Sequence, residues 1–255
     1  MSAEVFSRLL EAWSEPDPAL KCKRVAQLAF PQDDFAVPAI DGLSLAPGRP
    51  AQPRLIDPRD VPNRGLGTPE GRAALIHAVA HIEFNAINLA LDAALRFRQM
   101  PCAYYRDWLS VAQDEARHFQ MLRARLIELG CEYGAFAAHN GLWEAAEKTA
   151  DDVLARMALV PRVLEARGLD VTPGIIRRLR GLNDLATADI LAVILEEEVR
   201  HVAIGTHWYR WLCDQRGVDQ VSTFNALLAH AHVVLRQPVN REARLRAGFT
   251  EAELL

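Results

Sequence analysis

Four times in this chain a glutamate interrupts a run of apolar residues spaced at helical period, and twice a histidine follows it three residues later. Glu83 falls among Ile76, Ala80, Ile87, Ala90, Ala94 and Phe97. Glu115 and His118 fall among Trp108, Val111, Ala112, Phe119 and Leu122. Glu165 follows Leu154, Ala158 and Pro161, and Glu198 with His201 stands among Leu191, Ile194, Leu195, Val202 and Gly205. The periodicity predicts that these positions face a core. A carboxylate there must be protonated, paired or bound to a cation. Four carboxylates in one core repel unless something cancels their charge. Two divalent cations do so formally, and two neutral imidazoles complete the donor set. Residues three apart share a helix face, so each ExxH pair can address one ion. The competing reading pairs the acids with Arg117, Arg167 or Arg200. Neighbouring positions on a helix point elsewhere, which disfavours it.

Spacing supports convergence. Glu83 precedes Glu115 by 32 residues, and Glu165 precedes Glu198 by 33. In an antiparallel hairpin, residues equidistant from the turn lie at the same height. The first midpoint falls near Pro101 and the second near Leu182, both at breaks in the apolar pattern. The predicted helices run from Thr68-Pro69-Glu70 to about Gln99, from Pro101 to Gly130, from Ala145 to about Arg167, and from Asn183 or Asp184 to Arg216. Residues 169–173 break the third pattern before a brief helical piece reaches Arg180, and a last helix covers about Val221 to Leu235. Thr68 and Pro69 are start signals, and Gly130 and Gly217 are stop signals. Strand patterns are nearly absent. The expected fold class is all-α: a ferritin-like four-helix bundle with extra N- and C-terminal helices and a proline-rich arm. The expected metal ligands are Glu83, Glu115, His118, Glu165, Glu198 and His201, with Glu165 the least regularly placed. Glu, ExxH, Glu, ExxH is the ligand order of di-iron and di-manganese carboxylate bundles.

Ten of the 14 prolines fall between Pro16 and Pro69. Residues 1–29 therefore hold only two short helical patterns, and residues 30–68 read as an irregular arm wrapped over the bundle. The expected organisation is 1–67 as N-terminal helices and arm, 68–217 as the metal-binding bundle, and 218–255 as a C-terminal helical extension. Half the residues are apolar, which excludes uniform disorder, and a net charge of −4 gives no global field for nucleic acid. Apolar stretches are expected to be too interrupted by charge for a membrane span, and the N-terminus lacks the pattern of a signal peptide. Four scattered cysteines, Cys22, Cys102, Cys131 and Cys213, form no CxxC and fit a reducing cytoplasm. His77 and His81 share a face but not that of Glu83, and read as surface or hydrogen-bonded histidines. His207, His230 and His232 fall away from the ligand positions. Glu196 and Glu197 read as solvated or paired, and Trp108, Trp208 and Tyr209 as core. Arg236, Arg241, Arg244 and Arg246 read as a solvated basic face, with phosphate or RNA contact as the sharper alternative.

The stretches His81-Ile-Glu-Phe84, Ala90-Leu-Asp92, Asp114-Glu-Ala-Arg-His118, Glu165-Ala-Arg-Gly-Leu-Asp170, Glu198-Val-Arg-His-Val-Ala-Ile-Gly205 and Pro58-Arg-Asp-Val-Pro62 resemble those of the DUF455 family of uncharacterised ferritin-like proteins. More distantly they resemble the tRNA-hydroxylating MiaE branch. The resemblance covers most of the chain. It implies the bundle and a di-metal centre without supplying a substrate.

The functional expectation is a non-haem di-iron protein, with manganese or mixed Fe/Mn using the same ligands, that oxidises a small organic substrate with O2. No flavin or nicotinamide motif is present, so an external electron donor is implied. MiaE-like hydroxylation of a modified tRNA base is the close alternative. Metal storage, ferroxidase activity or a structural di-metal bundle is the non-catalytic one. The N-terminal arm argues for a monomer or dimer over a cage.

Overall fold

The computed structural model describes residues 2–39 and 46–254, so residues 40–45 of the expected arm lie outside the described residues. Among the described residues the chain is all-helical, and β-structure is limited to one parallel bridge between Leu55 and Ala138. The elements are α1 (Ser2–Ser14), α2 (Pro18–Ala26), α3 (Pro69–Arg96), α4 (Cys102–Glu128), α5 (Gly141–Lys148), α6 (Val153–Leu159), α7 (Ala166–Gly181), α8 (Leu185–Arg216), α9 (Gln220–His230) and α10 (Arg241–Arg246). A π-helical segment, Val160–Glu165, joins α6 to α7. The chain divides into two compact units, Met1–Trp143 and Glu144–Leu255.

The first unit is built on the α3–α4 hairpin, with α1 packed on α3 and α2 on α4. Thr68 caps α3 by accepting from the Gly71 amide at 3.0 Å, and Pro69 sits at the first helical turn. Pro101 stands at the N-cap of α4, and Gly130 follows its C-cap at φ 73°. The arm is anchored where Ile56 donates to the Ala138 carbonyl and Ala138 to the Arg54 carbonyl.

Helix α3 departs from the expected stripe. It is buried on nearly every face from Ala73 to Leu95, including Ala86, Leu89, Leu91 and Ala93. Among the described residues it is the one helix long and apolar enough to cross a membrane by length and composition, which corrects the expectation that no stretch qualifies. Yet 72% of its most apolar window is buried inside the protein. It also carries buried His77, His81, Glu83, Asn85, Asn88 and Asp92, the last paired with Arg96 at 2.5 Å. A helix apolar all round belongs to an interior.

The second unit is built on α7 and α8, with α6 and the π-helical segment also packed on α8. Asp184 caps α8 by accepting from the Thr187 amide, and Gly217 ends it in the left-handed conformation at φ 63°. The expected single helix from Ala145 to Arg167 is instead interrupted at 149–152 and widened at 160–165. Helix α7 then continues through Pro173 without the expected break. In a regular helix, Pro161 could not donate to Met157 and its ring would meet that carbonyl. The wider π-turn accommodates it. The last expected helix ends at His230, short of Leu235, and α10 follows separately.

Arg162, in the π-helical segment, is wholly buried. Its guanidinium pairs with Glu253 and lies 4.3, 4.2 and 4.7 Å from the ring centres of Tyr209, Phe224 and Phe249. Three of the four arginines of the basic stretch are bound within this unit: Arg244 to Asp170, Arg246 to Glu196 and Arg241 to Glu251. They tie the C-terminal segment down.

Candidate metal centre

Helix α3 contributes Glu83, and α4 contributes Glu115 and His118 from one face, as i,i+3 geometry requires. Glu115 and His118 are fully buried and Glu83 is 4% exposed. His118 Nδ1 lies 3.2 Å from Glu83 Oε2 and 3.3 Å from Glu115 Oε2. Burial alone would lower the His118 pKa, but the Glu115 and Glu83 carboxylates outweigh it and raise the value to about 11. The protein thus places two acids and one imidazole, each able to offer a ligand atom, within 4.8 Å of one another. Two donors on one transition-metal ion at about 2.1 Å are at most about 4.2 Å apart. The set therefore closes on an ion with small side-chain movements, and its oxygen and nitrogen donors suit iron, manganese or zinc. A buried Glu/His cluster that could hold a metal ion is present.

The second unit repeats the motif. Helix α8 places His201 Nδ1 3.4 Å from Glu198 Oε1, with His201 fully buried and Glu198 half-buried. Glu165 is the last residue of the π-helical segment and is half-buried. Gly205, one turn beyond His201, lets α8 approach this segment: a Cβ there would sit 2.3 Å from Pro161 Cβ. Arg117 pairs with Asp114 and Arg167 with Asp170, so two of the arginines weighed as partners for these glutamates have acids of their own.

Residues 14–255 match the family described as "Protein of unknown function (DUF455)". The chain belongs to the DUF455 family. A relative from Haemophilus influenzae, named only as an uncharacterized protein, is 49% identical over 213 residues, covering 80% of this chain and 74% of its own. No solved structure matches.

Other sequence candidates of this DUF455 chain find structural roles. His77 accepts from the Gly134 amide at 2.9 Å, and His81 is hydrogen-bonded to the Tyr133 hydroxyl at 2.8 Å and to the His139 carbonyl at 3.2 Å. Both are buried rather than surface histidines, and burial lowers each pKa to about 4. Tyr209 donates to the Gln220 carbonyl at 2.6 Å, and Trp208 packs on Trp211. All four cysteines are free thiols.

Two features had no sequence signal. Tyr133 lies in the loop after α4, where no periodicity marks a residue as buried or polar-bonded. Lys21 lies in α2, where a lysine reads as solvent-facing. It is fully buried, donating to the Trp13 carbonyl at 2.8 Å and to Asn88 Oδ1 at 2.5 Å.

Proposed function

We propose that this DUF455 protein is a non-haem di-metal carboxylate oxidase or oxygenase. It would hold two transition-metal ions, iron first and manganese or mixed Fe/Mn second, and act on a small organic substrate with O2 and an external electron donor. The observation that carries this reading is the buried Glu83, Glu115 and His118 triad. The second unit's Glu165, Glu198 and His201 repeat the same order at nearly the same spacing. Three protein donors would leave an ion under-coordinated and open to an exogenous ligand. Such ions, when reduced, supply O2 activation.

The protein's own contribution in this reading is to exclude water and hold its donors ready. Glu83 and Glu115 are shielded by α3 and α4, so their charge acts in a low-dielectric interior. His118 faces both acids and can offer one nitrogen once it gives up its proton. The free thiols fit a reducing, cytoplasmic setting.

The test is anaerobic reduction of iron-loaded protein followed by O2 exposure, read by an oxygen electrode and Mössbauer spectroscopy. The proposal expects rapid O2 uptake tied to oxidation of protein-bound iron, lost in Glu115→Ala. Uptake no faster than that of free iron would contradict it.

One observation favours a tRNA substrate as the second reading. In the second unit, Arg167, Arg177 and Arg178 line a cleft of about 550 Å³ together with Asp170, and the Arg177 and Arg178 guanidiniums have no ion-pair partner among the described residues. Phosphate contacts make binding fall steeply with salt. A tRNA gel shift abolished by Arg177→Ala with Arg178→Ala would support this reading, and no shift at low salt would remove it.

A further inference from the structure

A cavity of about 310 Å³ opens in the first unit between the arm and α3. Its walls include Arg49, Arg54 and Leu55 from the arm, His81 and Phe84 from α3, and Tyr133. That volume lies at the small end of the range for ligand sites, and the mixture of aromatic wall with a few convergent polar groups is typical of them. The polar groups are fixed in place. His81 and the Tyr133 hydroxyl are hydrogen-bonded to each other, and Asn85 holds the His81 carbonyl at 2.9 Å. Tyr133 is further held by rings: Phe119 at 5.0 Å edge-on, Phe84 at 5.8 Å and stacked His77 at 5.3 Å.

Arg49 is the most informative wall. One of its nitrogens donates to Asn140 Oδ1 at 2.7 Å, which orients the guanidinium, and its charge acts on both His81 and Tyr133. Among the described residues no carboxylate pairs with it, and none pairs with Arg54. A guanidinium fork held by a neutral amide keeps donors for a planar anion. Phe84 and Tyr133 offer flat apolar surface beside it.

We propose that this cavity binds a small organic carboxylate with an apolar or aromatic body, the acid group on Arg49 and Arg54 and the body against Phe84 and Tyr133. If the oxidase reading holds, a carboxylate of this class is its substrate.

The test is calorimetric titration of the full chain, metal-free and iron-loaded, with phenylacetate, the neutral analogue 2-phenylethanol, and inorganic phosphate. Phenylacetate is expected to bind at least about ten-fold more tightly than either comparison, since a charge-assisted hydrogen bond contributes that much. Arg49→Gln should lose about ten-fold for phenylacetate and nothing for 2-phenylethanol. Arg54→Gln, at an exposed position, should weaken phenylacetate in the same sense without disturbing the fold. Equal affinity for phenylacetate and 2-phenylethanol, equal affinity for phosphate, or unchanged affinity in both variants would each overturn the proposal. Binding to metal-free protein does not depend on the oxidase reading. Carboxylate binding by a chain that takes up no iron would sink that reading and leave this site standing.

Discussion

Lys21 and Glu115 show how burial changes the meaning of a charged residue. Lys21 is enclosed, and burial pulls its pKa from 10.5 to about 7. The unfolded chain keeps that proton until about pH 10.5, while the folded chain releases it near pH 7. Unfolded protein therefore binds more protons between these limits, and stability from this group rises with pH across them. Between about pH 7 and about pH 9 the gain is up to about 2 kcal/mol. Lys21→Met should flatten this part of the profile in urea titrations at the two pH values. Equal slopes for both proteins would show that the amine stays charged when folded. Glu115 is different, since its neighbours Glu83 and His118 are themselves ionisable. Its place in the sequence was legible because acids are conspicuous in an apolar stripe. Lys21 was not, because a lysine on a short amphipathic helix carries no mark of the carbonyl and amide it meets in the fold.

Among elements, the local signals were accurate where a helix end is decided by its own residues. Thr68-Pro69 starts α3, Gly130 follows the end of α4, and Gly217 ends α8 through backbone geometry that neighbours in sequence dictate. The π-helical segment was illegible, because the apolar period carries one continuous helix through Pro161 and marks no wider turn there. What keeps the chain helical is its contact with Gly205 on α8 and the anchoring of Arg162 by Glu253 and three rings. Residues 169–173 read as a break in the pattern, yet Pro173 is carried within α7. Gly205→Ala forces a Cβ into Pro161, and overpacking of this kind costs about 1–3 kcal/mol. The variant should lose that amount in urea denaturation and shift the π-helical segment, with the hydrogen exchange of residues 160–166 accelerating. Unchanged stability would mean that α8 and the segment separate without cost. The segment matters because Glu165 stands at its end, and π-turns recur at functional sites.

For the whole chain, the two units carry the same signature, a glutamate followed by ExxH after 32 or 33 residues. The helical class and the first triad follow directly from that periodicity. The arm's cavity does not, because Arg49 and Tyr133 come from irregular segments joined by the bridge between Leu55 and Ala138. An ion that binds the folded chain and not the unfolded one stabilises the fold. Metal at a hundredfold excess over its dissociation constant adds about 2.7 kcal/mol. Metal-loaded protein should then melt several degrees above the metal-free form.

Elemental analysis of chain expressed with iron supplied tests the central claim most directly, with Glu115→Ala and Glu198→Ala as partners from the two units. The account predicts about two transition-metal ions per chain in the parent and loss of metal in both variants. Fewer than about 0.2 ions per chain in the parent, or full retention of metal by both variants, would contradict it.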